Sequence, residues 1–185
     1  MSLLFSLLLL FATPDGMAPS PAQYLHGKTF QSPDGWFSIE TPAEGWEWFE
    51  MAPGARQPDG QRKSVSWYVR SPDPKGISFA VMETYNVNAP PIDDEYLETM
   101  EAETRKALAP DDQVSDFSAA LLNVPTVNTV RYQYKVTKKS GKVGYRFAYA
   151  TGWKHKVFVI GFASEPQEPR ELKRVLVSLR WKKKP

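Results

Sequence analysis

The sequence contains no cysteine and only two histidines in 185 residues. The absence of cysteine excludes a disulfide framework, a lipid-modified cysteine, a thiol nucleophile and a thiolate metal site. A triad or a zinc site would need a histidine held in a formed pocket. His26 lies in a predicted N-terminal linker, and His155 lies between two lysines in a predicted hairpin turn. We therefore expect His155 to be an exposed turn residue and neither histidine to be catalytic.

Catalytic and phosphate-binding motifs are also lacking. There is no G-x-S-x-G, no H-E-x-x-H and no glycine loop that could bind a phosphate. Asp93, Asp94 and Glu95 could offer oxygen ligands, but a calcium site needs about six well-spaced oxygens. Their position at the start of a predicted helix explains them, and Asp111 and Asp112 fit a polar loop. We predict no catalytic residue, no metal and no cofactor; the alternative is an enzyme that uses carboxylates with Tyr or Arg in a cleft.

The charge and composition indicate one globular domain. The formal net charge of +2 is too small to indicate a polyanionic partner, and we expect no binding of nucleic acid. With 42% hydrophobic and 24% charged residues, the chain can bury one core and is short for two domains. Six tryptophans supply much of the core volume that a domain without disulfides requires.

The N-terminal segment resembles a secretory signal. Residues 3–12 form an apolar run that is too short to span a membrane and is typical of the central region of a signal peptide. No Lys or Arg precedes it, so an uncleaved apolar segment remains the alternative. We predict a cleaved signal peptide at 1–22, a linker at 23–29, a single domain at 30–181 and a basic tail at 182–185. The protein would then be extracytoplasmic, either periplasmic or secreted.

The first half of the domain alternates apolar and polar residues with the period of strands. This pattern predicts strands at 37–39 and 46–48, joined by a Pro/Gly turn into an aromatic hairpin, and a third strand at 65–69. The continuous apolar run 77–85 is typical of a central strand covered on both faces. A helix is predicted from Asp93, with acidic residues at its start and basic residues at its end. Residues 51–63 are predicted to be an exposed loop.

The second half predicts a strand at 114–122, a three-stranded meander and a terminal helix. The inward face of the meander is assigned to alternating apolar residues on its first two strands, and 157–163 is a buried third strand. A helix is indicated with Pro169 at its first position and with apolar residues at i, i+3, i+4 and i+7. The two sets of residues are Val130, Tyr132, Tyr134, Val136, Val143, Tyr145, Phe147 and Tyr149 in the meander, and Leu172, Val175, Leu176 and Leu179 in the helix.

This order of elements resembles the Mog1/PsbP-like fold, which includes bacterial envelope proteins of the DcrB type. The residues that carry the resemblance are Gly35-Trp36-Phe37-Ser38-Ile39 with Pro42 and Gly45-Trp46, then Arg131-Tyr132-Gln133-Tyr134, and the ending Leu176-Val177-Ser178-Leu179-Arg180. The resemblance implies an α+β fold, an antiparallel β-sheet flanked by helices in an α/β/α sandwich. It also implies an accessory or binding module, since most members act in that way. No functional residue of the family can be transferred to this sequence.

Five residues are candidate surface contacts. Trp36 and Trp153 each lie next to a glycine in a predicted turn, where an exposed ring could stack on a ligand. Lys138, Lys139 and Lys142 crowd one turn of the meander. Each lysine near an anionic membrane surface contributes about 1 kcal/mol, so a peripheral membrane-surface protein is a further alternative. We expect a monomeric, non-enzymatic accessory or binding domain whose partner is a protein or another component of the envelope.

Overall fold

A computed structural model describes residues 18–19, 24–50, 65–73, 77–85, 88, 90–106, 111–122 and 127–182. Most of the predicted signal peptide, the predicted loop 51–63 and most of the basic tail lie outside these residues. The strands are β1 (Ala18–Pro19), β2 (Leu25–His26), β3 (Thr29–Gln31), β4 (Phe37–Glu40), β5 (Glu47–Glu50), β6 (Val65–Arg70), β7 (Ser78–Tyr85), β8 (Gln113–Leu122), β9 (Thr129–Thr137), β10 (Val143–Gly152), β11 (His155–Ala163) and β12 (Arg180–Trp181), and the helices are α1 (Asp94–Lys106) and α2 (Arg170–Ser178).

The larger sheet has the strand order β1-β5-β6-β7-β11-β10-β9-β8, and every neighbouring pair is antiparallel. Six consecutive residues of the eight in β7 are buried, because apolar layers cover both faces of this central strand. The prediction of a doubly covered strand at 77–85 is confirmed. The predicted strand at 114–122 and the three-stranded meander are confirmed as β8 and as β9 to β11.

The smaller sheet has the order β12-β4-β3-β2 and lies over the first half of the larger one. The predicted aromatic hairpin is wrong, since β4 belongs to the smaller sheet and β5 to the larger one. The Phe30 ring of β3 stacks on the Trp48 ring of β5 with centroids 4.1 Å apart, so the two sheets bury aromatic side chains against each other. The segment 23–29, predicted to be a linker, carries β2 and the first residue of β3.

Two apolar cores lie on opposite faces of the larger sheet. The first is covered by the smaller sheet and α2, and the second by α1. This arrangement confirms an α+β fold with an antiparallel sheet between helices. The predicted inward face of the meander needs correction, because Tyr132 belongs to the second core while Phe147 and Tyr149 belong to the first. In the register, Tyr149 lies opposite Arg131 and Ala148 opposite Tyr132, so β10 is buried on both faces.

Both helices begin near the predicted residues. The Asp93 carboxylate accepts a hydrogen bond of 3.0 Å from the Tyr96 backbone N–H, which caps α1. Pro169 precedes the first residue of α2 and has an extended backbone, so the helix begins one residue later than predicted. Leu172 and Val175 bury one face of α2 in the first core, as predicted. Neither helix is long and apolar enough to cross a membrane, and the same is true throughout the described ranges.

Candidate functional site

A cleft of about 570 Å³ opens at one end of the larger sheet. The turn between β9 and β10 forms one wall, and the connection from β11 to α2 forms the other. Apolar side chains line part of it, among them Val136, Val143 and Phe162. Charged side chains of both signs surround them: Lys138, Lys142, Arg146, Glu165, Glu168, Arg170 and Glu171.

Two of the predicted contact lysines line this cleft because the turn that carries them is tightly closed. The backbone N–H of Lys138 donates to the Lys142 carbonyl at 2.9 Å, and the N–H of Gly141 donates to the Lys138 carbonyl at 2.8 Å. Gly141 has a φ of 80°, a conformation that side chains disfavour, so the glycine permits this turn. Lys139 instead pairs with Asp111 at 2.9 Å, outside the cleft. The turn therefore directs two of its three lysines to the cleft.

Arg146 lies at the base of the cleft and is only 9% exposed. Its guanidinium carbon lies 4.6 Å from the centroid of the Phe162 ring, and Nη1 donates to the Tyr145 carbonyl at 3.1 Å. A Cβ at position 144 would lie 3.2 Å from Nη1, so Gly144 leaves space for the guanidinium. Stacking on one face and a hydrogen bond on one edge hold this planar cation in a fixed orientation.

Glu168 joins the cleft to the face of the sheet under α2. The Tyr149 hydroxyl donates to its Oε1 at 2.5 Å, and Nη2 of Arg131 lies 3.2 Å from its Oε2. The Lys173 ammonium is 3.9 Å from the same Oε2. Burial raises the pKa of Tyr149 well above its ordinary value, and the Glu168 carboxylate adds to the effect. Both oxygens of this carboxylate are thus engaged by groups of the protein itself.

The two predicted contact tryptophans differ in their surroundings. Trp153 is 51% exposed at the turn between β10 and β11, with the Lys154 ammonium 5.3 Å from its ring centroid. Trp36 is half-buried and packs against the first core, with its ring centroid 4.3 Å from that of His155. The structure does not bring either tryptophan to the cleft, and their role as contacts stays a prediction.

The prediction that His155 is an exposed turn residue is wrong. It is the first residue of β11, and its ring packs against those of Trp36, which precedes β4, and Trp181 of β12, so that the residue is 2% exposed. Its Nε2 lies 2.5 Å from Oε1 of the equally buried Glu83, an ion-pair distance without the alignment of a directed hydrogen bond. Nδ1 has no hydrogen-bond partner among the described residues. A buried acid and base thus face each other between the two sheets.

Lys156 follows His155 in β11. Its side chain points to the opposite face of the larger sheet, and the residue is 1% exposed. Its ammonium donates to the Pro90 carbonyl at 2.6 Å and lies 5.3 Å from the centroid of the Tyr96 ring. Burial lowers the pKa of Lys156 to about 8, and the nearby Asp93 carboxylate opposes part of this shift. Lys156 is therefore a structural cation and not part of a basic surface.

Sequence reasoning missed the residues that complete the cleft. Arg146 interrupts an apolar run in β10, and an arginine between aromatic and small residues of a buried strand was the available signal. Glu168 lies two residues before the start of α2, but nothing in the sequence points to its partners on β9 and β10. Among the residues that the structure describes, no three His, Asp or Glu side chains are close enough together to hold a metal ion.

Comparison with known proteins adds to this description. No family model and no curated protein matches the sequence. The chain is similar to a protein of Bacteroides thetaiotaomicron, with 18% identity and a TM-score of 0.54 over 86% of this chain, and spans 50% of that protein's length. It is also similar to cyanobacterial PsbP (CyanoP) from Synechocystis, with 11% identity and a TM-score of 0.55, over 83% of this chain and 91% of the other.

These similarities define the fold. They place the chain among α+β proteins built on an antiparallel sheet with flanking helices. Within that class the protein has the PsbP-like fold, as the sequence resemblance predicted.

Proposed function

We propose that this protein is a non-enzymatic, extracytoplasmic accessory domain that acts by binding a partner protein at the cleft between the β9–β10 turn and α2. The observation that carries the proposal is the gathering of Lys138, Lys142 and Arg146 beside the apolar side chains of one cleft. An open cleft with fixed cations and apolar walls has the composition of a recognition site. The export signal predicted at 1–22 and the accessory roles implied by the resemblance support the same proposal.

The cleft also bears on the enzyme alternative, because it collects arginines and carboxylates with a tyrosine behind them. Glu168 is its most buried carboxylate, with a side chain only 9% exposed. A general acid or base must be able to exchange a proton with a substrate. Here Tyr149, Arg131 and Lys173 engage both carboxylate oxygens, which favours a structural ion network over a catalytic group. We therefore propose binding in preference to catalysis.

Site-specific photo-crosslinking tests the binding proposal. A benzophenone amino acid at Val143, which is 39% exposed on the cleft wall, should give one discrete crosslinked protein in the native envelope. The matched control is the same probe at Val177, which is exposed on α2 outside the cleft. The Val143 product should disappear in the variant Lys138→Gln/Lys142→Gln. No product at Val143, or identical products at both positions, would contradict the proposal.

Export is tested separately by fusing alkaline phosphatase, which is active only outside the cytoplasm, after residue 29. High phosphatase activity with the intact N-terminus, lost when residues 3–12 are replaced by polar residues, is the expected result. Equal activity of the two fusions would refute the extracytoplasmic assignment.

A membrane-surface role is a second candidate, favoured by the exposed Trp153 ring next to Lys154. Indole rings partition to the headgroup region, and lysines are attracted to anionic lipids. Co-sedimentation with phosphatidylserine vesicles across a salt series tests it, with Trp153→Ala as the matched variant. Binding that weakens with salt and with the substitution would support this role, whereas salt-independent binding or none would exclude it.

A further inference from the structure

The C-terminal part of the chain concentrates positive charge. Residues 170–185 contain seven Lys or Arg and one Glu, so their formal charge is +6. The whole chain has a formal charge of +2, and residues 1–169 therefore have a formal charge of −4. Opposite signs in two parts of one chain indicate a directed electrostatic surface and not a uniformly basic protein.

The exposed residues of α2 all lie on one face. They recur at i, i+3, i+4 and i+7, opposite the residues that α2 buries in the first core. Three of the four are cationic and the fourth is a valine that is 73% exposed: Arg170, Lys173, Arg174 and Val177. The helix is thus amphipathic, with a basic outward face.

The segment after α2 extends this face. Arg180 and Lys182 are exposed, while Trp181 between them packs its ring against Phe37 in the first core. Because α2 and the smaller sheet cover the same core, their outward residues lie on one side of the molecule. A groove of about 440 Å³ is lined by residues of α2, by Arg180 and by the segment 40–42. We call the exposed residues of both elements the basic face: Arg170, Lys173, Arg174, Val177, Arg180 and Lys182.

Two cations of the basic face also contact the protein itself. The Lys173 ammonium is 3.9 Å from Oε2 of Glu168, a carboxylate that Tyr149 and Arg131 already engage. The Arg180 guanidinium donates to two backbone carbonyls at the end of α2. These bonds hold the guanidinium in place, and they leave its charge uncompensated because a carbonyl is neutral.

The rest of the positive charge has few carboxylates near it. Among the described residues that line the groove, Glu40 supplies one carboxylate against three cations. Arg174 and Lys182 have no ion pair with any residue that the structure describes. The basic face therefore keeps an excess of positive charge toward the solvent.

The turn between β10 and β11 borders the basic face. A Cβ at position 152 would lie 3.1 Å from the Trp181 ring, so β12 lies beside the turn that carries Trp153 and Lys154. Trp153 is 51% exposed there. An exposed indole ring at the edge of a basic surface is typical of proteins that contact the membrane–water interface.

Cations spread around one exposed valine fit a surface of many negative charges better than a compact ligand. The nine residues of α2 rise about 13 Å, enough to contact several lipid headgroups. We propose that the basic face binds an anionic membrane surface, with lipid phosphates at the cations and Val177 at the boundary of the acyl chains. This inference goes beyond partner binding at the cleft and does not depend on it.

The test is co-sedimentation of the full chain with vesicles made of equal parts of phosphatidylglycerol and phosphatidylcholine. Binding should be at least about tenfold stronger than to vesicles of phosphatidylcholine alone, and should weaken as salt is added. The neutral vesicles also measure any contribution of the apolar run 3–12, which does not depend on lipid charge. Equal binding to the two kinds of vesicle would overturn the proposal.

Matched variants locate the contact. Arg174→Gln/Lys182→Gln should weaken binding to the anionic vesicles about 10–30-fold, since each cation near such a surface contributes about a fivefold factor. Lys106→Gln/Lys139→Gln removes two exposed charges elsewhere, each paired with a carboxylate, and should change binding less than about threefold. An equal effect of the two changes would place the membrane contact elsewhere and refute the assignment.

A neutral variant separates a membrane from a soluble polyanion. Val177→Gln keeps every charge and should weaken vesicle binding about 2–5-fold, because an apolar contact is lost. Soluble polyglutamate should displace little of the wild type from the vesicles. Complete displacement by polyglutamate, or wild-type vesicle binding by Val177→Gln, would show that the basic face recognises an acidic polymer.

The outcomes are independent of the functions proposed above. A discrete protein crosslinked at Val143, together with no preference for anionic vesicles, would leave the binding cleft standing and exclude the membrane contact. Loss of vesicle binding in Arg174→Gln/Lys182→Gln without any loss in Trp153→Ala would support the basic face and remove Trp153 from the contact.

Discussion

The buried pair of Glu83 and His155 provides the sharpest test of how the two sheets are held together. Their side chains are 7% and 3% exposed, and Oε1 of Glu83 lies 2.5 Å from Nε2 of His155. Replacing one partner by leucine, which has a similar volume, leaves the other alone between two apolar layers. Burying a polar side chain without its partner is costly, so each half of the pair depends on the other.

Each single variant should therefore be strongly destabilised. His155→Leu and Glu83→Leu should each lower the unfolding free energy by about 3–5 kcal/mol, because each leaves one polar side chain buried without its partner.

Urea unfolding at pH 7, followed by tryptophan fluorescence, measures these free energies. The double leucine variant should lie close to the wild type, because replacing both partners by apolar side chains leaves no polar group buried alone. Losses in the double variant equal to the sum of the two single losses would refute a direct contact between the two side chains.

Three further predictions concern the rest of the domain. Gly152→Ala places a Cβ 2.0 Å from a backbone oxygen at a φ of 101°, so it should lower the unfolding free energy by more than the about 1–3 kcal/mol that backbone strain alone costs. Gly141→Ala has open space around its Cβ and should lower the unfolding free energy by that strain only, so equal losses in the two variants would contradict the clash. Folding lowers the pKa of Lys156 to about 8, so above that pH the unfolded chain binds more protons than the folded one. The unfolding free energy of the wild type should therefore rise between about pH 7.5 and 9, and that of Lys156→Met should stay flat over the same range. Tyr149→Phe removes the 2.5 Å hydrogen bond to Glu168 and should cost about 1–3 kcal/mol in urea unfolding, and an unchanged midpoint would show that the bond does not stabilise the fold.

The alternation of apolar residues was sufficient to find most strands and both helices. It identified β7 as a doubly covered strand, and the charge at the two ends of residues 93–106 identified α1. It failed where the assignment depended on which partner a strand has. Residues 37–40 and 47–50 have the pattern of a hairpin, yet they pair in different sheets, which contact each other through the stacked rings of Phe30 and Trp48.

The candidate site was predicted only in part for the same reason. Lys138, Lys139 and Lys142 were visible as a basic turn, but only the fold shows that two of them line a cleft and that the third pairs with Asp111. Arg146 was not predicted as a contact residue, since its position on a buried strand reveals neither the cleft nor the ring that supports it.

The sequence by itself determined the class of the protein and what it excludes. Local patterns of apolar and charged residues select strands and helices, and the absence of cysteine removes whole classes of chemistry. Only the tertiary structure decided the burial of His155 against Glu83 and the joining of Glu168 to Tyr149 and Arg131. Desolvation and charge pairing act between atoms that meet only after the chain has folded, and no local pattern encodes those meetings.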